Sequence, residues 1–206
     1  MFRPLTHQEM LQFRSRMPNT RIKATSHDRG RLFELVANDI AARSFSGKEV
    51  VLLTSNIDGL PMSVNLIANL AQFGHQHSLL LADSKATCDR LVSATPPACV
   101  WSSMLSGQYP EGVRVYIHNR IWVLWLQRYA YVHRLIRSGY NVLLVDTDVI
   151  LFHDPYPFFK GVFENYTLIT LGDTSAGYAS VNGGVYYVQN ARMGGPVVHI
   201  FSEFER

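Results

Sequence analysis

The sequence has 206 residues, 47% of them hydrophobic and 17% charged, with 14 glycines and 9 prolines. This mix excludes collagen-like, low-complexity and disordered chains, and a chain of this length buries roughly 70% of its unfolded surface without cross-links. The net charge of +3 is uneven: residues 1–48 carry nine Lys/Arg against four Asp/Glu, the remainder ten against twelve. A mild basic arm without dense clusters or interleaved aromatics is no nucleic-acid footprint. Two cysteines, Cys88 and Cys99, make neither a disulfide scaffold nor a cysteine-rich zinc fold. No apolar run reaches ~18 residues, so no membrane insertion by this chain is expected. The first nine residues lack the apolar run of a signal peptide.

Residues 1–30 are polar and basic and are broken by Pro4, Pro18 and Gly30. They predict a weakly structured extension. Leu32, Leu35, Val36 and Ile40 then recur at helical spacing, giving an extension over 1–48 that carries one helix. From residue 49 the pattern becomes α/β. Val50-Val51-Leu52-Leu53 reads as a buried parallel strand ending in Thr54-Ser55-Asn56. A helix opens at Gly59 and Pro61 and stops at Gly74. Residues 78–82 predict a second strand ending at Asp83, and 84–93 a helix halted by Pro96-Pro97. Residues 97–118 predict a long loop with one short strand. A long helix runs from about Asn119 to Ser138, and residues 141–145 predict a third buried strand. Residues 166–171 and 182–188 predict two more, and a terminal helix opens near 193. This βαβα order signals a doubly wound, mostly parallel sheet with helices on both faces.

The chemistry concentrates in residues 139–157. Asp146 and Asp148 are expected to share a face at the carboxyl end of a buried parallel strand, the edge where open α/β sheets bind ligands; the alternative is that one Asp caps a turn and the other is exposed. Two close carboxylates repel, and a divalent cation relieves that cost. All-oxygen ligands suit Mn²⁺ or Mg²⁺, with phosphate oxygens filling the open positions. On the preceding helix, Arg128 falls inside the apolar stripe of Ile121, Leu124, Trp125, Val132 and Leu135. It either reaches an anionic diphosphate or forms a structural ion pair with an Asp. Thr54, Ser55 and Asn56 are placed to bond a base or ribose, or to cap the next helix. Asp83 could bond ribose hydroxyls or N-cap. Asn182, Gly183 and Gly184 allow close ligand approach, or a bend or bulge. Asp173 is a second cleft carboxylate or a turn residue. The eight histidines show no metal-ligand spacing and read as surface or satisfied. P-loop, Gly-x-Ser-x-Gly and Gly-x-Gly-x-x-Gly motifs are absent from the sequence.

The segment RYAYVHRLIRSGYNVLLVDTDVILFHDPYP resembles the core of the nucleotide-diphospho-sugar transferases. These are GT-A-fold glycosyltransferases that include plant and algal members. Arg128, Leu135, Gly139, Tyr140, Val142, Asp146, Asp148, Asp154 and Pro155 carry the likeness, and Asn182-Gly183-Gly184-Val185-Tyr186 is similar to a later strand of that family. The resemblance spans residues 49–206. It implies a Rossmann-like GT-A domain and transfer of a sugar from a nucleotide-diphosphate donor, a UDP-sugar foremost, to a glycan or glycoprotein acceptor. It also implies a Mn²⁺ or Mg²⁺ site at Asp146 and Asp148, and a Golgi location. Members carry a further C-terminal part, often with a metal-binding His, and an N-terminal membrane anchor. The chain is therefore expected to be incomplete at its C-terminal end, with its true start upstream. Two alternatives stand beside this: an inactive nucleotide-sugar-binding remnant, and a haloacid-dehalogenase-type phosphohydrolase, whose first motif Leu-Leu-Val-Asp-Thr-Asp also resembles this stretch. Asn165-Tyr166-Thr167 is an acceptor triplet for N-glycosylation.

Overall fold

The computed structural model of the protein describes residues 26–27, 32–94, 98–102, 120–172 and 181–205. In chain order the elements are β1 (Ser26–His27), α1 (Leu32–Ala41), β2 (Glu49–Ser55), α2 (Leu60–Gln72), β3 (Ser78–Ala82), α3 (Lys85–Ala94) and β4 (Ala98–Trp101). Then follow α4 (Arg120–Arg137), β5 (Asn141–Val145), α5 (Tyr156–Lys160), β6 (Leu168–Gly172), β7 (Val181–Val188) and α6 (Pro196–Ser202) with a short 3₁₀ turn. The strands form one sheet in the order β1-β4-β3-β2-β5-β7-β6. All neighbours are parallel except those of β7, which runs against both β5 and β6.

The apolar runs explain the central strands. β2, β3 and β5 are buried along their whole length, which a strand covered on both faces requires. Alternate residues go to opposite layers. Val50, Leu52, Leu79, Leu81, Val142 and Leu144 pack under α1, α4 and α6 through Phe33, Ile40, Val132, Leu135 and Phe201. Val51, Leu53, Leu80, Leu143 and Val145 pack under α2, α3 and α5 through Leu66, Leu70, Leu91, Tyr156 and Phe159. The α/β architecture expected from the sequence, a mostly parallel sheet with helices on both faces, is the one observed.

Several elements differ in detail. The stripe of α1 is Phe33, Val36, Ala37 and Ile40, while Leu35 is 64% exposed. That helix shares the core of β2, β3 and β4, although the sequence assigned it to an extension ahead of the domain. Of the surface and satisfied readings for His75 and His77, the satisfied one is observed, since both are buried. They bond Asp154 at 2.8 Å and the Tyr156 hydroxyl at 2.9 Å. Glu49, fully buried at the start of β2, accepts bonds from Asn141, Tyr187, Ser46 and Lys160. This network ties the amino ends of β2 and β5 to the carboxyl ends of β7 and α5, at the end of the sheet away from Asp146. Cys88 and Cys99 form a disulfide between α3 and β4.

Candidate functional site

The chain runs β2, β3, β4 outward on one side and then returns to place β5 on the other side of β2. α2, which follows β2, and α4, which precedes β5, lie on opposite faces of the sheet, and a crevice opens between them at the carboxyl ends of the two strands. Val145 ends β5 and is followed by Asp146, while β2 continues past Leu53 through Thr54 to Ser55. The cavity, about 120 Å³, is lined by Thr54, Ser55, Asn56, Gly59, Met62, Leu124, Trp125 and Asp146-Thr147-Asp148. A second cavity of about 120 Å³ is lined by Met62, Asn65, Leu66, Asn69 and residues 147–150. The two share Met62, Thr147 and Asp148, so Asp148 stands between them.

Asp146 and Asp148 do not share a strand face as the sequence reading expects. β5 stops at Val145, and the chain turns at once, with Val149 N–H donating to the Asp146 carbonyl at 3.1 Å. The alternation of a strand therefore does not extend to Asp148. Asp146 turns inward: its carboxylate pairs with the Arg128 guanidinium, and its N–H donates to the Gly184 carbonyl at 2.6 Å. Asp148 is exposed, and no described residue pairs with its carboxylate.

Arg128 is only 4% exposed. Besides Asp146 it donates to the Gly183 carbonyl at 2.7 Å, and its Nε has no partner among the described residues. Burial opposes its charge, but Asp146 and the neighbouring Tyr129 hydroxyl outweigh burial and raise its pKa above the ordinary arginine value. Of the two roles left open by the sequence, the ion pair with an Asp is the one present.

The glycines of β7 now have a steric reason. A Cβ on Gly184 would lie 2.5 Å from Oδ2 of Asp146, and one on Gly183 2.7 Å from the Tyr129 hydroxyl. Asn182 folds back to accept from Gly184 N–H at 2.7 Å, and the β6–β7 register shifts between Thr170 and Leu171. The bend or bulge reading thus holds for this stretch, and the close approach is made by Asp146.

On the opposite wall, Asn56 accepts from Gly59 N–H at 2.8 Å and Ser55 donates to the Asn56 carbonyl at 2.9 Å. Both build the turn into α2 while lining the crevice. Asp83 stands apart from the crevice lining. It accepts from the Thr87 hydroxyl at 2.8 Å, in a cluster where Ser84 accepts from Thr87 N–H. It therefore serves the start of α3. Asp173 lies outside the described residues.

Sequence reasoning missed Asn69. From α2 its side chain reaches the backbone of Leu151, donating to the carbonyl at 3.0 Å and accepting from the N–H at 2.8 Å. The turn that carries Asp148 is held there, 82 residues away in sequence. A lone polar residue on an amphipathic helix gives no sign of such a clamp. Trp125, Met62 and Gly59 also escaped, because only the fold turns them toward the crevice.

A family model described as nucleotide-diphospho-sugar transferase matches residues 74–194, well over half of the chain. The chain belongs to the nucleotide-diphospho-sugar transferase family. No curated protein and no solved structure matches it. The matched stretch holds β3 to β7, including Arg128, Asp146, Asp148 and the two glycines of β7. With the family established, the haloacid-dehalogenase reading falls. For a divalent cation in this transferase domain, Asp148 is the open carboxylate and Asp146 the one held by Arg128. Among the described residues no three His, Cys, Asp or Glu side chains converge. His199 is exposed on α6. Carboxylate oxygens such as those of Asp146 and Asp148 are hard ligands, which Mn²⁺ or Mg²⁺ would suit better than a soft metal.

Proposed function

We propose that the protein is a metal-dependent glycosyltransferase that moves a sugar from a nucleoside-diphosphate donor, a UDP-sugar first, to a glycan or glycoprotein acceptor. The observation that carries this reading is the exposed carboxylate of Asp148, which pairs with no described residue and is set between two cavities at the switch point of a nucleotide-diphospho-sugar transferase fold. The nucleoside lies toward Thr54, Ser55 and Asn56, whose hydroxyl and amide groups line the wall. The diphosphate lies toward Asp148, and the Trp125 and Leu124 side chains narrow the opening above it. Arg128 acts through Asp146, fixing that carboxylate and the β7 backbone in one arrangement. A divalent cation held at Asp148 and Asp146 would stabilise the negative charge gained by the departing nucleoside diphosphate.

Calorimetry with a panel of nucleoside diphosphates and nucleotide sugars, with Mn²⁺ and with EDTA, tests binding. Affinity should rise by about tenfold or more with Mn²⁺, and Asp148→Asn should abolish most of the rise. Equal affinity in both conditions ends the metal reading. A donor-hydrolysis assay tests turnover, since release of free sugar marks an active transferase and tight binding without release marks an inactive binding protein.

A further inference from the structure

Two features at opposite ends of the sheet order concern the same question. Cys88 and Cys99 are both fully buried and joined as a disulfide, locking α3 to β4 inside one core layer. Stable structural disulfides of this kind form where the surroundings are oxidising, and are rare in the cytosol. The second feature is Asn165-Tyr166-Thr167, the single Asn-x-Ser/Thr triplet of the 206 residues. It lies in the turn between α5 and β6.

The fold treats that asparagine as a free surface group. Asn165 is exposed, and Tyr166 is 60% exposed. The turn itself is held from below by Gln189, whose amide donates to the carbonyls of Phe163 at 2.9 Å and Tyr166 at 3.0 Å. Its backbone N–H donates to the Thr167 carbonyl at 2.9 Å. The backbone on both sides of Asn165 is thus fixed, and its side chain bonds no described residue.

The location also spares the site. β6 runs parallel to β5, and Leu168 and Val142 both face Val188 of β7. The residues before Leu168 therefore lie at the amino ends of the strands, while Asp146 and Asp148 lie beyond the carboxyl ends. A bulky group on Asn165 extends away from the crevice. It would also lie over exposed apolar surface, because Phe158 is 54% and Val162 71% exposed beside the same turn. Apolar surface of this kind is a liability for a secreted protein unless something polar covers it.

We infer that Asn165 is an N-glycosylation site and that the protein matures in an oxidising, glycosylating compartment. The reaction transfers an oligosaccharide from a lipid-linked diphosphate donor supplied by the cell. The bond between the sugar's anomeric carbon and the phosphate oxygen breaks, and a bond from that carbon to Nδ2 of Asn165 forms. Nδ2 loses one proton, and the lipid diphosphate leaves with the electron pair. Transfer precedes folding, so the folded chain need only leave Nδ2 open.

The test uses the protein isolated from its own cells. Trypsin releases residues 161–192 as one peptide, since no Lys or Arg lies between Lys160 and Arg192. Mass spectrometry should find this peptide carrying a glycan, and alkylation should reach Cys88 and Cys99 only after reduction. In the same cells, Asn165→Gln and Thr167→Ala should both lose the glycan mass, and Thr167→Ser should keep it. A bare Asn165 peptide, a glycan mass that persists in Asn165→Gln, or cysteines that alkylate without reduction would each overturn the inference. None of these outcomes depends on nucleotide binding.

Discussion

Replacing Gly184 by alanine sets a methyl carbon 2.5 Å from Oδ2 of Asp146 and 3.0 Å from Oδ1 of Asn182. The strand backbone cannot retreat, because Gly184 O accepts from Asp146 N–H and Gly184 N–H donates to Asn182. The Asp146 carboxylate must then leave its place against Arg128. The expected outcome is a large loss of donor turnover with stability lowered by about 1–3 kcal/mol, the usual range for overpacking. Steady-state kinetics beside a urea melt checks it; a variant with unchanged kcat/KM would show that Asp146 needs no fixed position. Arg128→Ala is a harsher change. It leaves the Asp146 carboxylate without its partner, and breaking such a pair costs about 3 kcal/mol or more when it is buried. Asp146 is 30% exposed in this pair, so water offsets part of that. By contrast, Asp148→Asn should leave the melting temperature unchanged, because its carboxylate pairs with no described residue. The two aspartates are therefore separable: one loses stability and function together, the other function alone.

At the scale of elements, the Asp148 turn is held by α2 through Asn69. Asn69→Ala removes both bonds to Leu151. That should cost about 1–2 kcal/mol of stability and weaken Mn²⁺-dependent nucleotide binding several-fold. Asn69→Asp keeps the acceptor and loses the donor, so it should fall between. Calorimetry on the two variants decides it, and unchanged affinity in Asn69→Ala would make the clamp purely structural. The contrast with the strands shows what a sequence displays. β2, β3 and β5 were legible because strands buried on both faces are written as apolar runs, and the end of β5 put the aspartates just beyond the carboxyl edge of the sheet, where the structure has them. Helix bounds were legible from their stops: Gly74 and Gly139 adopt φ of +83° and +86°, a conformation that suits glycine after a helix. Illegible were features that depend on a distant partner. Period-two alternation cannot reveal that β7 runs antiparallel, nor that β5 ends one residue before Asp146. Arg134 bonds Glu34 at 2.7 Å and 2.9 Å and covers the Phe33 ring. The α1 contact responsible could not be inferred from α4 alone. The four donors that close round Glu49 come from three other segments and the preceding turn, which a single charged residue at a strand start does not display.

For the molecule as a whole, the two ends of the sheet divide the labour. The carboxyl ends hold the crevice, and the amino ends hold the buried polar groups Glu49, His75 and His77, with half-buried Asp154 beside them. The disulfide is off to one side, on β4, which is separated from the crevice strands by β3. Its loop spans 11 residues, so reduction should cost about 2–3 kcal/mol. Nucleotide affinity should survive, as thermal melts and calorimetry with and without reductant would show.

The amino-end cluster makes stability depend on pH. His77 is 1% exposed, with Nε2 2.9 Å from the Tyr156 hydroxyl and the His75 ring 5.3 Å away. Burial first, and His75 second, disfavour its imidazolium; Glu49 and Asp154 offset this only in part, and its pKa falls to about 4 from the ordinary 6.5. In the unfolded chain the ring takes up a proton as pH drops through 6.5, whereas in the folded chain it stays neutral until about 4. Between those values the unfolded state binds more protons, so stability rises with pH there and is lost as pH falls. The contribution is complete above 6.5 and gone below 4, and the full gap corresponds to roughly 3 kcal/mol. His77→Gln keeps an amide for Tyr156 and cannot titrate. Urea unfolding from pH 4 to 7 should therefore show a shallower dependence in the variant than in the parent, even though carboxylates contribute to both. If the two curves run parallel across that window, His77 is already protonated in the folded protein, and Glu49 and Asp154 outweigh the burial that keeps it neutral.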